Sequence, residues 1–246
     1  MIDIKYDSEI IKNKRETIKK QLFERSINIK TDNFSKIEDN DLYILFELYD
    51  EIFLCSWFKD NFKGKIILKL SKQLSRAAGN TKTSKCIAEM KPEDIKFEIK
   101  ISLNHLANFN KVDRIKYVGG IEAASVLDGL MLVFEHEICH VIEFLIYHKS
   151  SCSKKTFKNL IFNIFGHVES THKLIGVKEA NMSIFGMRPG DNVKFMAEGR
   201  TYNGFIQKIN TRATVMCFDE RGRYIDEFGR RLTKFYVPLE SLMKDD

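Results

Sequence analysis

The sequence predicts a mixed α+β fold, with a largely helical domain followed by a small all-β domain. Apolar residues recur at helical spacing in several stretches before residue 165. Two short stretches, 65–70 and 97–102, have the composition or alternation of strands. After about residue 185, glycine, arginine and β-branched residues increase and short strands follow one another. The predicted divisions are 1–35 for an N-terminal helical extension, 36–180 for the first domain and 186–246 for the second.

The amino-acid composition is typical of a globular protein. The 246 residues suffice for one large domain or two modest ones, and 43% are hydrophobic while 30% are charged. The formal net charge of +6 is compatible with an acidic partner such as nucleic acid. A solvated surface rich in lysine accounts for the same charge, so charge alone does not define a function.

Cysteine usage indicates a reducing, cytoplasmic or otherwise intracellular setting. The five cysteines are scattered and none belongs to a C-x-x-C pair, which argues against a disulfide framework and a zinc ribbon. The first residues lack the apolar core of a signal peptide. No apolar run reaches the roughly 20 residues that a membrane span needs, so we expect no membrane partner.

The N-terminal third predicts two helices before the first strand. Residues 8–30 are rich in lysine and have apolar residues at helical spacing, which predicts a solvated helix. An alternative role for this helix is contact with nucleic acid. Residues 41–62 carry a dense apolar stripe typical of a buried helix. Between the two predicted strands, residues 75–81 are mostly small and read as a turn.

A long apolar helix begins after Gly119-Gly120 and contains the most informative motif of the chain. His136, Glu137 and His140 spell H-E-x-x-H, which on a helix places both histidines on one face. Two such histidines can bind one Zn²⁺ ion, and Glu137 then lies where it can take a proton from a bound water. Because the helix is apolar on nearly all faces, its polar residues need partners or an ion. The pattern predicts a helical zincin-type metallopeptidase domain with a small β-sheet.

The third zinc ligand has to come from outside the motif. The helix should end near residue 148, and a second helix, 154–165, should return beside it to a cap at Gly166. At 1.5 Å per residue, this hairpin brings His167 level with His136. His167 is therefore the first-ranked ligand, and His172 and Glu169 are alternatives on the same segment. Cys152 and His148 lie at the far end of the hairpin and are disfavoured.

The last 60 residues predict a small SH3-like β-barrel. Several short strands separated by turns fit into about 55 residues. The segment also carries six arginines that are candidates for contacts with nucleic acid, interleaved with carboxylates: Arg200, Arg212, Arg221, Arg223, Arg230 and Arg231.

Residues 40–175 resemble the SprT-like zinc metallopeptidases, the family that includes Spartan. The resemblance rests on the helix from Leu42, the strand before Arg76-Ala77-Ala78-Gly79, the strand ending Lys100-Ile101-Ser102, the motif at 135–140, and the segments 165–167 and 171–172. The C-terminal part is similar to a small barrel appended to some bacterial and viral members. One departure concerns the H-G-x-x-F motif that supplies the third ligand in Spartan-type members. The corresponding stretch, 153–157, keeps Phe157 and lacks the histidine.

The resemblance implies zinc-dependent hydrolysis of peptide bonds in a protein substrate that is bound or crosslinked to DNA. DNA thereby becomes a candidate partner. The alternative function belongs to a different class, a non-catalytic module that binds DNA or protein and whose zinc is structural or lost. In that case four protein ligands would close the site, for example with both His167 and His172 engaged.

Overall fold

A computed structural model describes residues 4–245 of the chain. It divides into two compact units, one formed by residues 4–110 and 114–174 and the other by 111–113 and 175–245. The fold is mixed α+β, as the sequence predicts. No helix among the described residues combines the length and apolar character needed to cross a bilayer.

The first unit is built from helices around a small sheet. Its helices are α1 Ser8–Arg25, α2 Asp39–Ile52, α3 Trp57–Asn61, α4 Leu103–Asn108, α5 Val126–Tyr147 and α6 Lys155–Phe165. They enclose one apolar core. Helix α1 contributes Ile11, Ile18 and Leu22 to this core, all of them buried. The N-terminal helix, which the sequence suggested as a separate extension, is therefore an integral part of this unit.

The sheet of the first unit has the order β1–β3–β2, with β1 at Lys65–Ser71, β2 at Gly79–Lys82 and β3 at Lys96–Ser102. Strand β1 is parallel to β3, and β2 is antiparallel to it. The predictions for β1 and β3 are confirmed. Strand β2 forms in part of what the sequence presented as a turn, because its four residues gain their hydrogen bonds from β3, which is distant in sequence. It lies at one edge of the sheet.

Helix α5 starts and ends with well-defined caps. The Ser125 side chain accepts from the Asp128 backbone N–H, and the Asp128 carboxylate accepts from the Ser125 N–H at 2.9 Å, which completes a capping box. The helix ends at His148, which takes the left-handed conformation with φ of 56°. Most side chains in between are buried, as the apolar sequence predicts. The helix is preceded by a hairpin, β4 Lys116–Val118 and β5 Ile121–Ala123, that turns at Gly119 and Gly120.

The second unit is an antiparallel sheet with one helix. Its elements are α7 Val177–Phe185, β6 Asn192–Ala197, β7 Arg200–Ile209, β8 Ala213–Phe218, β9 Tyr224–Ile225, β10 Arg231–Val237 and β11 Met243–Lys244. Within the described residues these six strands form one sheet, in the order β11–β6–β7–β8–β10–β9. The unit has its own apolar core, which includes Val193, Phe195, Ile206 and Val215. Its boundary falls at residue 175, so α7 belongs to this unit and not to the preceding one.

Candidate metal centre

His136 and His140 lie one above the other on α5 and face the same cavity. Their Nε2 atoms are 3.1 Å apart. Two nitrogen ligands of a tetrahedral zinc ion, each at about 2.0–2.1 Å from the metal, are about 3.3 Å apart. The pair therefore already has the separation of two ligands that share one ion.

Cys152 completes a group of three donors. The ligand atoms of His136, His140 and Cys152 all lie within 4.8 Å of one another. The sequence had placed Cys152 at the far end of the hairpin and disfavoured it, and the structure corrects this. The turn between α5 and α6 folds back along α5 and does not extend away from it, so it brings the thiol to the two imidazoles.

Glu143 holds this turn in place. Its carboxylate is buried and accepts three hydrogen bonds from the turn and the start of α6: from the Ser150 hydroxyl at 2.6 Å, the Ser151 N–H at 2.9 Å and the Thr156 hydroxyl at 2.6 Å. Cys152 lies between these donors in sequence. The position of the thiol thus follows from a buried acceptor one turn beyond His140.

Ser150 also sets the tautomer of His140. The Ser150 hydroxyl uses its one proton for Glu143, so its oxygen accepts from His140 Nδ1–H at 2.6 Å. With the proton on Nδ1, the lone pair of Nε2 points at the three-donor group. A metal-binding histidine commonly has such a hydrogen bond on its other nitrogen.

Both imidazoles are in the form that binds metals. Burial lowers the pKa of His136 to about 3, and the nearby His140 adds to this effect. Burial likewise lowers the pKa of His140 to about 4. Both rings are therefore neutral near pH 7 and each offers a lone pair. The buried Phe157 ring packs against both, with centroid distances of 4.9 and 4.4 Å, and gives the site an apolar wall.

Glu137 lines the same cavity as the three donors. One oxygen of its carboxylate accepts from the Thr81 hydroxyl at 2.7 Å. The other lies over Gly79, where an added Cβ would come within 2.5 Å of it. Any larger residue at 79 would displace the carboxylate. Burial raises the pKa of Glu137 to about 7, against the effect of the Thr81 hydrogen bond, so this carboxyl exchanges a proton near neutral pH.

The cavity has a volume of about 340 Å³. Besides the donors and Glu137, its walls include the small residues that enter β2 and the segment from Ser170 to His172. His172 lines the cavity, but it is not one of the three clustered donors. Its ring stands edge-on to His105, at 5.0 Å between centroids. His105 itself is buried and lies 2.9 Å from the Ser102 hydroxyl.

The structure places His167 away from the histidine pair, against Glu135. His167 Nε2 is 2.7 Å from the Glu135 carboxylate, and both side chains are fully buried. Arg15 forms a two-pronged ion pair with the same carboxylate, and the Tyr49 hydroxyl donates to it at 2.8 Å. Burial opposes ionisation of Glu135, but Arg15 and His167 outweigh it and lower its pKa to about 2. This network joins α1, α2 and α5 to the segment after α6.

His167 lies at the level along α5 that the sequence predicts, but it contacts a different face of the helix from the one that carries His136. Successive residues of a helix project about 100° apart, so Glu135 and His136 point in different directions at nearly the same height. His167 meets the first of them. Its other nitrogen, Nδ1, faces Gly119, where an added Cβ would come within 2.0 Å. The alternative candidate Glu169 is exposed and lies beside Gly120.

Cys152 is disfavoured by its level along the hairpin, because that level does not take into account how the turn folds. A signal for it does exist in the sequence. Glu143 is an acidic residue on a mostly apolar helix, and the turn that follows is rich in hydroxyl side chains. A buried carboxylate needs donors, and the nearest ones are in this turn, which must therefore fold back.

Comparison of the chain with protein-family models, with curated proteins and with solved structures gave no match. The interpretation of the site therefore rests on its own geometry.

We expect Cys152→Ala to lose tight metal binding, because two imidazoles alone leave the ion weakly held. The measurement is the metal content of the purified, dialysed protein, together with the sulfur-to-metal absorption band of the Co²⁺ form. Cys86→Ala, at an exposed cysteine, is the matched control and should retain both. His167→Ala should also retain the metal in the folded fraction. Equal metal content in Cys152→Ala and wild type would exclude Cys152 as a ligand.

Ser150→Ala should weaken metal affinity by about 10–100-fold, the usual effect of losing the hydrogen bond that orients a histidine ligand. Without the hydroxyl, His140 is no longer held with its proton on Nδ1. Competition with a chromophoric chelator measures the affinity. Ser153→Ala alters a neighbouring exposed hydroxyl of the same turn and should leave affinity unchanged. Identical affinities for the two variants would show that Ser150 does not orient the ligand.

Proposed function

We propose that the first unit is a zinc-dependent peptidase of the zincin type, with His136, His140 and Cys152 as ligands and Glu137 as general base. The observation that carries this proposal is that Glu137 and the three donors line one cavity. Two histidines and a thiol alone describe a metal site. An adjacent buried carboxyl that exchanges protons near neutrality is what hydrolysis requires in addition.

Zinc is the ion that this donor set suits best. Imidazole and thiolate are both common zinc ligands, and three protein donors leave the fourth tetrahedral position for water or substrate. When bound, zinc lowers the pKa of that water towards neutrality and polarises the carbonyl of the peptide bond. Three protein ligands are the usual number in a catalytic zinc site.

The side chains around the cavity then have separate tasks. Glu137 takes a proton from the attacking water and passes it to the amine that leaves. Thr81 orients the Glu137 carboxylate by donating to one oxygen, while the other oxygen lies over Gly79 in the cavity wall. Phe157 shields the imidazoles from bulk water, and Ser150 maintains the His140 tautomer.

The edge strand β2 supports a peptide as substrate. Strand β2 pairs with β3 on one side and ends the sheet on the other, and residues 77–81 line the cavity. An extended peptide can add to such an edge through main-chain hydrogen bonds. Ala77, Ala78 and Gly79 add little side-chain bulk at this edge of the sheet.

The resemblance to SprT-like metallopeptidases extends this proposal. It implies a protein substrate associated with DNA. Cysteine usage adds an intracellular location, and the run of short strands adds an SH3-like form for the C-terminal sheet. Cys152 takes the place of the missing histidine of the H-G-x-x-F motif, one residue ahead of the corresponding position. Phe157, the residue of that motif which this chain keeps, packs on both metal-binding imidazoles.

A non-catalytic role has one observation in its favour. His172 lines the same cavity as the three donors and is a fourth potential ligand. If His172 closed the coordination sphere, zinc would be structural, because water and substrate would have no position on it. The chain would then bind a protein or DNA without cleaving it.

Glu137→Gln should reduce peptide hydrolysis by about 10²–10⁴-fold, because the amide cannot accept the proton of the attacking water. The measurement is the rate of cleavage of an unfolded protein by the zinc-loaded chain. Zinc content should remain at the wild-type level, since Glu137 is not a ligand. Glu122→Gln, at an exposed carboxylate of β5, serves as the control for a lost charge and should cleave normally.

Equal cleavage by Glu137→Gln and wild type would show that Glu137 is not the base. A wild-type protein that binds zinc and cleaves nothing would favour the structural site. Repeating the assay with a DNA-bound substrate, with and without the DNA, tests the inferred link to DNA. Equal rates would remove that link and leave the peptidase intact.

A further inference from the structure

One face of the second sheet carries an ordered set of aromatic and cationic side chains. Residues opposite one another in antiparallel strands share a face. The pairing puts Tyr224, Leu232 and Phe218 in one row across β9, β10 and β8. Lys234, Met216 and Phe205 form the next row, and Tyr236, Thr214 and Lys208 form the third. The opposite face of the same strands is the core of the unit.

The aromatic rings of this outer face are open to solvent. Phe218 and Tyr236 are 54% and 66% exposed, and Phe228, in the turn between β9 and β10, is 73% exposed. Met216 and Leu232 lie between the rings and are buried although they point away from the core, which gives the rings an apolar base. Rows two residues apart along a strand are about 7 Å apart, so the rings are distributed along the face as separate platforms.

Cations lie directly over these rings. The Arg230 guanidinium is 4.5 Å from the centre of Phe218 and 5.1 Å from that of Phe228. Its Nε donates to Asp226 at 2.7 Å, which fixes it there. The Lys234 ammonium is 4.2 Å from the centre of Tyr224. Each charge is thus held at the surface beside an aromatic platform.

The charges of the strands are all positive. Within the described residues, none of the six strands of this sheet contains Asp or Glu, and together they carry six basic residues: Lys194, Arg200, Lys208, Arg231, Lys234 and Lys244. The carboxylates that interleave with arginine in the sequence lie in the turns and termini. Three of the six, Lys194, Lys208 and Lys234, share the face of the exposed rings, and Lys194 is paired with Asp245. The strands therefore place no carboxylate on this face that would repel a phosphate.

We propose that this face binds single-stranded nucleic acid, with bases stacked on Phe218, Tyr236 and Phe228 and phosphates paired with Lys234 and Lys208. Exposed rings on a sheet with interspersed cations are suited to an unpaired strand, whose bases are free to stack and whose backbone is anionic. A duplex keeps its bases stacked on one another and cannot use the rings. A purely apolar protein partner would offer no anionic group to Lys234 and Lys208.

The test is binding of a labelled 20-nucleotide oligodeoxythymidine to the full-length protein, followed by fluorescence anisotropy. We expect Phe218→Ala combined with Tyr236→Ala to weaken binding at least about tenfold, since two lost base–ring stacks together exceed this effect. Lys234→Gln should weaken binding and reduce the slope of log affinity against log salt by about 0.7. A duplex of the same length should bind more weakly than the single strand.

The control variants are Ile27→Ala and Lys85→Gln, which remove an exposed apolar side chain and an exposed charge from the other unit. Both should bind as wild type does, and circular dichroism should show that all variants are folded. Absence of binding by the wild-type protein at low salt would overturn the proposal and favour a protein partner for this face. Equal binding by the double variant and its controls would overturn it as well. Neither result depends on peptidase activity, because binding is measured without cleavage.

Discussion

The candidate site depends on how the buried Glu143 carboxylate is satisfied. A carboxylate on an apolar helix is costly unless donors surround it. The chain supplies them by folding the turn after α5 back over the helix, where Ser150, Ser151 and Thr156 all donate. The same fold brings Cys152 to the histidine pair, sets the tautomer of His140 and starts α6 so that Phe157 covers both imidazoles. One requirement for hydrogen bonding thereby assembles most of the proposed metal centre.

Helix α5 carries three buried carboxylates with different environments and different consequences. Glu135 is surrounded by Arg15, Tyr49 and His167, and the charges near it keep it ionised and fixed. Glu143 is a structural acceptor. Glu137 has one neutral donor, the Thr81 hydroxyl, and its pKa is raised to about 7 by burial. The carboxyl that lines the cavity is therefore also the one suited to proton transfer, which is the combination a general base requires.

Much of this architecture follows from the sequence because it is local. The apolar stripes define α2 and α5, Gly166 ends α6, and H-E-x-x-H places His136, Glu137 and His140 on one helix. Features that depend on distant pairing were not predicted. Strand β2 is four residues long and exists because β3 pairs with it. The sequence predicts the level of His167 along α5. The face of α5 that His167 contacts depends on the pairing of Arg15 with Glu135, and these two residues lie on separate helices. In the second unit the strands were recognisable, whereas the aromatic face emerges only from their register.

X-ray absorption at the zinc edge of the purified protein tests most directly whether two imidazoles and one thiolate hold a catalytic ion. We expect one sulfur at about 2.3 Å and two imidazole nitrogens at about 2.0–2.1 Å, with a further light atom from water. A shell without sulfur would exclude Cys152, and a shell with three imidazoles and one sulfur would indicate a closed structural site.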